Sequence, residues 1–387
     1  MGRVDAVNVC LVHHPMYGGM HRAVCDFANA LHAPIVSFDD GRRRRDGVSG
    51  GPVVHRIDCK GGVLTRECHV LSPRMATEAV NRLGAATLLV VHSLFRAHAL
   101  WAMRIAAATH RRYWAVPHGC LDPWGLRRRS LAKHLWLLAW GRAYLESAEA
   151  VVFSTRREQE KARAWLGGSR PMVVHWPVEV PDFHAADRER ADFRRRYGIP
   201  ESARVLLYVG RLHTMKRPTE TIAAFCEANP AHTHLVVVGM DGDLTANAVR
   251  RHVPEKFAHR VHVVGGLSGH LLGAAYHAAN GYISLSYREN FGYAAAEALA
   301  FGLPVILSPG HDLAYDMPMQ SETLACGWLL PDDSRPAAVD AIRMFGEAGE
   351  STLRTIGDTG RRWSSDSLSF QRFQDVLSDT ACRGSRR

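Results

Sequence analysis

Two pairs of charged residues have the types and spacing to do chemistry. The first is Arg211 and Lys216, in the stretch Gly210-Arg211-Leu212-His213-Thr214-Met215-Lys216 that follows the apolar run Val205 to Val209. Arginine offers a planar fork to two phosphate oxygens and lysine a mobile point charge, so together they can neutralise a diphosphate. Where a departing phosphate gains charge, fixed cations stabilise the transition state more than the ground state. The second pair is Glu289 and Glu297, in the segment Ser284 to Pro309, SLSYRENFGYAAAEALAFGLPVILSP. A helix is expected from near Phe291-Gly292 to Phe301, stopped by Gly302 and Pro304. Its free N–H groups and positive dipole end make an anion site. Glu289 falls just outside that helix and Glu297 about one turn inside, where carboxylates suit sugar and ribose hydroxyls. The same spacing also fits a surface Glu297 and a helix-capping Glu289.

The elements that must position these residues follow from the apolar runs. Val7 to His13, then Pro15 to Gly19, then Met20 to Leu31 read as strand, glycine turn and helix. Gly18 and Gly19 permit close backbone approach to a ligand. Further runs at Thr87 to Val91, Tyr113 to Val116, Ala150 to Phe153 and Met172 to Val174 alternate with amphipathic stretches, the pattern of strands crossed over by helices. His118, in Val116-Pro117-His118-Gly119, follows one of these strands directly, a position that suits a polar ligand contact. The second half repeats the alternation at Val205 to Val209, Leu235 to Val238, Val261 to Val264, Tyr282 to Leu285 and Val305 to Leu307. The fold class is therefore α/β with two Rossmann-like, doubly wound parallel-sheet domains. Both charged pairs then fall at carboxyl ends of strands, where open α/β sheets bind ligands. The boundary is placed in the proline-bracketed segment His175 to Pro181, giving domains 1–178 and 179–366. A last helix in 367–387, read over Ser367 to Leu377, is free to cross back to the first domain.

Composition narrows the class. A chain of 387 residues, 47% hydrophobic and 22% charged, is globular and exceeds the usual single-domain length. Its eight cysteines form no CxxC pair or zinc-finger spacing, which favours reduced thiols. The start MGRVDAVNVCLVHHP lacks signal-peptide architecture and no apolar run approaches a spanning length, so a cytoplasmic location is expected. The net charge of +10 points to anionic partners. Part of the surplus lies in clusters at Arg42 to Arg45, Arg127 to Arg129 and Arg194 to Arg196, which fit solvated faces equally well. Asp241-Gly242-Asp243 reads as a turn rather than a metal site, and His232-x-His234 as surface sequence at a strand start.

Taken together, these residues resemble a family 4 retaining glycosyltransferase of the GT-B fold, over nearly the whole chain. The most specific match is Glu-x7-Glu, Glu289 to Glu297, followed by Ala298 to Ile306. Gly210-Arg211-Leu212 with Lys216, Gly239 to Asp243 and Pro117-His118-Gly119 are also similar. The resemblance implies two domains facing a cleft, with Glu289 on donor-sugar hydroxyls, Glu297 on the nucleotide ribose, and Arg211 with Lys216, beside Gly210, on the diphosphate. It implies backbone contacts from Asn290, Phe291, Gly292 and Tyr293, Gly19 beside Gly18 against the diphosphate, His118 at the sugar's reacting edge, and Gly265-Gly266-Leu267 at the base. Retaining transfer without a divalent metal, a cofactor or a protein nucleophile is implied too, from a UDP- or GDP-linked donor to a glycan or lipid-linked acceptor. One departure is Arg217-Pro218, where many members carry a glycine. Leu307 to Asp316 resembles a subgroup that assembles bacterial exopolysaccharide and lipopolysaccharide.

Other readings stay open at this level. A hydrolase, epimerase or phosphorylase of sugar nucleotides would use the same scaffold. A basic nucleic-acid- or polysaccharide-binding protein would explain the charge but not the set Arg211, Lys216, Glu289 and Glu297; no specific nucleic acid is expected. The segment 127–140, basic and then aromatic and apolar, fits an anionic membrane surface on the inner face of the plasma membrane, or a helix packed on the first domain with its arginines outward. Arg42 to Arg45 are assigned to an anionic acceptor or to the membrane.

Overall fold

The structure is a computed structural model that describes residues 5–11, 18–39, 51–59, 70–127, 130–321 and 323–384. The run 42–45, residues 128 and 129, and residues 12–17, for which the sequence predicts the end of a strand and a glycine turn, lie outside the described residues. The chain forms two compact units. Unit 1 runs to Pro177 and takes up the chain again from Phe370, and unit 2 is Val178–Ser369.

Unit 1 is built on seven parallel strands: β1 (Ala6–Cys10), β2 (Ile35–Asp39), β3 (Val54–Asp58), β4 (Leu88–His92), β5 (Arg112–Val116), β6 (Ala150–Phe153) and β7 (Pro171–Val173), in the order β3-β2-β1-β4-β5-β6-β7. Strands β1, β4 and β6 are buried at every residue. Largely apolar strands buried on both faces, here interrupted by Asn8 and His92, belong to parallel sheets covered by helices on both faces. The last helix, Phe370–Gly384, completes this unit. Phe373 meets Phe27 at 5.0 Å and Trp176 at 6.1 Å between ring centroids, Gln374 donates to the Ala30 carbonyl at 3.1 Å, and Arg112 donates to the Ala381 carbonyl at 2.8 Å.

Unit 2 repeats the plan with β8 (Arg204–Val209), β9 (Thr233–Val238), β10 (Val261–Gly265), β11 (Gly281–Ser284) and β12 (Val305–Leu307). A short hairpin of β13 (Met319–Gln320) and β14 (Thr323–Leu324) precedes β15 (Gly327–Leu329). The parallel sheet has the order β10-β9-β8-β11-β12-β15. Strand β15 has no signature in the sequence because it is three residues long and begins at Gly327, φ 155°. A Cβ there would stand 2.0 Å from the Val305 carbonyl oxygen, so only glycine lets the strand dock on β12.

Two expectations about basic and imidazole groups are corrected here. Arg194 is not part of a solvated or ligand-facing cluster. It is fully buried on the helix Ala186–Arg196, while Arg195 and Arg196 are exposed. Its guanidinium donates to the carbonyls of Pro200, Glu201, Ala203 and Ala278 and to Asn280 Oδ1, at 2.8 to 3.3 Å. His234 is likewise buried within β9, where its ring lies parallel to that of His262 with a 3.0 Å nitrogen–nitrogen contact, so it is not surface sequence. In a strand covered on both faces, a polar side chain finds its partner on the neighbouring strand.

Candidate active site

The strand order of unit 2 reverses between β8 and β11. Chain leaving one of these strands turns toward β9 and chain leaving the other toward β12, which opens a crevice at their carboxyl ends. Lys216 comes from the loop after β8, and Glu289 from the loop after β11. Their side chains form an ion pair in which each is largely shielded from solvent. Ser286 Oγ lies 3.4 Å from Glu289 Oε1, and Ser284 Oγ lies 3.2 Å from Ser286 Oγ. The buried His311 contacts Ser284 Oγ through Nε2 at 2.9 Å. A polar line thus runs from His311 through two serines to Glu289 and Lys216. Burial pushes the Glu289 carboxyl upward, but the Lys216 charge, His311 and the hydrogen bonds from Lys216 and Ser286 outweigh it and hold the group below its ordinary value. Glu289 is therefore a carboxylate at neutral pH.

Backbone pairing fixes the Glu289 loop. The Glu289 N–H donates to the Gly310 carbonyl and the Asp312 N–H to the Glu289 carbonyl, both at 2.9 Å. Next comes Gly292, φ 73°, which precedes the helix Tyr293–Ala300 and supplies no side-chain cap. The left-handed conformation favours glycine there, and a Cβ would sit 3.3 Å from His311 Nδ1. The backbone of Asn290, Phe291, Gly292 and Tyr293 brings the chain to that helix start. Glu297 projects from the second turn and accepts from Tyr276 Oη at 2.9 Å, so it is neither a free surface residue nor part of the Lys216 pair.

The opposite loop is braced from β9. Asp243 accepts from the Thr214 N–H at 2.9 Å and the Thr214 hydroxyl at 2.6 Å, and Asp241 accepts from the Ala246 N–H at 2.8 Å. Gly210 leads out of β8, and Arg211 is exposed, with no side-chain hydrogen bond or ion pair among the described residues. Gly265, φ 82°, closes β10, and Leu267 is half-buried just beyond it.

Arg217 explains the departure from glycine. It has φ 56°, the left-handed region, and its guanidinium is buried. It donates to the Leu285 carbonyl at 3.2 Å and the Asp333 carbonyl at 3.0 Å, and it stacks over Tyr287 at 4.4 Å. The side chain ties the Lys216 loop to the Glu289 loop, which offsets the backbone cost of roughly 1 kcal/mol or more.

In unit 1, Gly18 has φ 54° and Gly19 begins the helix Gly19–Ala30. His118, φ 50°, lies after β5. Its Nε2 is 2.9 Å from Nδ1 of the buried His92, whose Nε2 is 3.0 Å from Oδ1 of the buried Asn8. With Asn8 Oδ1 as acceptor, His92 carries its proton on Nε2 and accepts from His118 Nε2–H, leaving a lone pair on His118 Nδ1. Glu158 fixes the adjoining turn, its carboxylate accepting from the N–H of Gly119 at 2.7 Å and of Ser154 at 2.8 Å. The sequence carried a signal for Glu158 in Thr155-x-x-Glu158, where Thr155 caps the helix Arg156–Leu166. Nothing in the sequence singled out His311, His92 or Asn8.

Burial lowers His98, His118 and His311 from 6.5 to about 4. Each is neutral when folded, so below pH 6.5 the unfolded chain takes up protons first. The stabilisation is complete above that pH and is lost as pH falls toward 4. The expected result is a flat Tm above pH 7 that declines from pH 6.5 to 4.5, each imidazole contributing at most about 1.4 kcal/mol per pH unit and the half-buried His118 less than the buried His98 and His311. Glu289, held below its ordinary value, acts in the same direction at lower pH. An unchanged Tm between pH 7.5 and 4.5 would contradict this.

The model of the family Glycosyl transferases group 1 matches residues 189–363, which covers both loops of the ion pair and the Tyr293–Ala300 helix. The chain is 27% identical over 355 residues to the D-inositol 3-phosphate glycosyltransferase of Mycobacteroides abscessus, covering 87% of this chain and 76% of that one. Among solved structures it is similar to sucrose-phosphate synthase from Thermosynechococcus elongatus, with TM-score 0.73, 20% identity and 98% of both chains covered. Anabaena HepE, solved with UDP and glucose, has TM-score 0.74 and 15% identity, with 98% of this chain and 99% of that one covered. With two parallel sheets of this order and a group 1 domain spanning the Lys216–Glu289 site, the chain is a glycosyltransferase of the GT-B fold.

Proposed function

We propose that the chain is a retaining, metal-independent glycosyltransferase that moves a hexose from a UDP- or GDP-linked donor to a glycan or lipid-linked acceptor in bacterial surface polysaccharide synthesis. The observation that carries this reading is the Lys216–Glu289 ion pair at the point where the strand order reverses, with the exposed Arg211 earlier in the Lys216 loop. A bound diphosphate would draw Lys216 and Arg211 to its oxygens, releasing Glu289 to accept from sugar hydroxyls. Glu297 takes the ribose hydroxyls, and the Gly292 helix start receives negative charge. HepE, solved with UDP-glucose, supports a nucleotide-sugar donor.

In the step itself, the bond from the anomeric carbon to the diphosphate oxygen breaks while the acceptor hydroxyl oxygen bonds to the same face. The acceptor proton passes to the departing phosphate oxygen, so no protein nucleophile is needed. The two cations stabilise the charge that builds on the leaving group. His118, with its Nδ1 lone pair, accepts from a hydroxyl of the transferred sugar.

A panel of UDP- and GDP-hexoses tests the reading by calorimetry with EDTA present, followed by the anomeric configuration of the product. Binding without divalent metal and a retained anomer are expected. An inverted anomer, or transfer abolished by EDTA, would overturn it.

A further inference from the structure

The helical stretch of unit 1 that starts at Ser130 passes through a π turn, Leu137–Gly141, into Arg142–Ser147. Leu131, Leu135 and Leu138 share one face by their spacing, and they are 73, 56 and 74% exposed. Trp140 adds another 47% exposed ring, so four of the sixteen exposed large hydrophobics among the described residues fall within ten positions. A groove of about 420 Å³ adjoins this segment, lined by Phe95, Leu100, Trp101, Trp136, Trp140 and the exposed Arg104. Gly141 lets the π turn pack tightly, since a Cβ there would lie 2.7 Å from Leu137 and 3.1 Å from the Trp136 ring.

Charge within the stretch itself is of one sign, with Arg142 paired to Glu146 just beyond it at 2.8 Å. From Pro123 to Leu145 the sequence holds Arg127, Arg128, Arg129, Lys133 and Arg142 and no acidic residue. An apolar stripe in a basic setting attracts a surface that offers anionic headgroups above an apolar interior, whereas two copies of the same face repel. No described helix is long and apolar enough to cross a membrane.

We propose that this face docks unit 1 on an anionic lipid bilayer, with Leu131, Leu135 and Leu138 entering the acyl boundary, Trp140 at headgroup depth, and Arg104 and Arg127 among the phosphates. The segment lies on the membrane and does not span it. The inference stands apart from the donor chemistry, because none of these side chains belongs to the Lys216–Glu289 site.

Sedimentation with phosphatidylglycerol vesicles tests it. The protein should bind them and release in high salt, and should bind phosphatidylcholine vesicles at least about tenfold more weakly. A Leu131→Ser, Leu138→Ser variant should lose about tenfold or more in partition, since each leucine forfeits its transfer into an apolar phase. Brominated phosphatidylglycerol should quench a blue-shifted component of the emission that Trp140→Phe removes. Circular dichroism and nucleotide-sugar binding without vesicles should match wild type, which separates this proposal from the donor reading. No vesicle binding by wild type, or equal partition of the double variant, overturns it. So does a dimer in sedimentation velocity that the double variant abolishes, since the face would then belong to a second copy.

Discussion

Lys216→Ala is expected to lower kcat/KM by about 10³-fold, roughly 4 kcal/mol of lost transition-state stabilisation, in a protein that still folds. Glu289→Ala is expected to do the same. The reason lies in the geometry of the pair: each group is shielded from solvent, and the Lys216 charge helps hold Glu289 as a carboxylate. On the proposed reading, loss of Lys216 takes from the departing diphosphate one of its two cations, and the remaining carboxylate repels the phosphate. Without Glu289, the lysine remains but the sugar has no charged acceptor. Because the two act as one unit, the double variant should lose little more than either single variant. Glu289→Gln keeps a hydrogen-bonding group of the same shape and separates loss of charge from loss of contact. Steady-state kinetics with Tm as the folding control gives the result, and full activity in either folded single variant would sink the assignment.

Arg194→Ala is expected to cost about 3–5 kcal/mol of stability in unit 2, as large an effect as a single substitution commonly has. The guanidinium satisfies four carbonyls and the Asn280 side chain, joining the helix Ala186–Arg196 to the end of the helix His270–Ala278 and the chain entering β8. Alanine takes this donor from the buried carbonyls of Ala203 and Ala278 and unties the other contacts. Lysine rescues little, since one ammonium cannot span a planar fork. The neighbouring Arg195→Ala and Arg196→Ala should stay within about 0.5 kcal/mol. Denaturant unfolding of the three variants decides the matter; equal midpoints would show that Arg194 is not a structural keystone.

The contrast between Arg194 and its neighbours shows why parts of this molecule were legible and parts were not. Long buried strands announce themselves through consecutive Val, Leu and Ile, so β4, β6, β8 and β9 could be located to within a residue or two. The strand–loop–helix passages placed Arg211, Lys216, Glu289 and Glu297 near strand ends by arithmetic alone. What a one-dimensional pattern does not carry is which member of a polar run turns inward. Arg194 sits among exposed arginines, and only the helix rotation against His270–Ala278 selects it. His311 and Ser284 are ordinary residues of a loop and a strand, and they meet Glu289 because β11 and β12 are neighbours. His92 and Asn8 reach His118 for the same reason across β1, β4 and β5. Arg217 was visible as a departure from glycine, but its role as a tie required knowing where Leu285, Tyr287 and Asp333 would be.

The helix Phe370–Gly384 has a consequence for how the chain comes to be folded. Phe27 and Trp176 are covered by Phe373, and the Ala30 carbonyl is met by Gln374, so the first unit's core lacks its closing piece until the last part of the chain has emerged. During synthesis the residues up to Pro177 wait, with aromatic surface uncovered, while Val178–Ser369 is made and can fold on its own schedule. Closing a loop of that length adds little entropy beyond a shorter one, since the cost grows only with its logarithm. The penalty is instead one of time: a nascent chain stalled or cleaved before residue 370 presents an unfinished core, which makes it a ready substrate for chaperones and proteases.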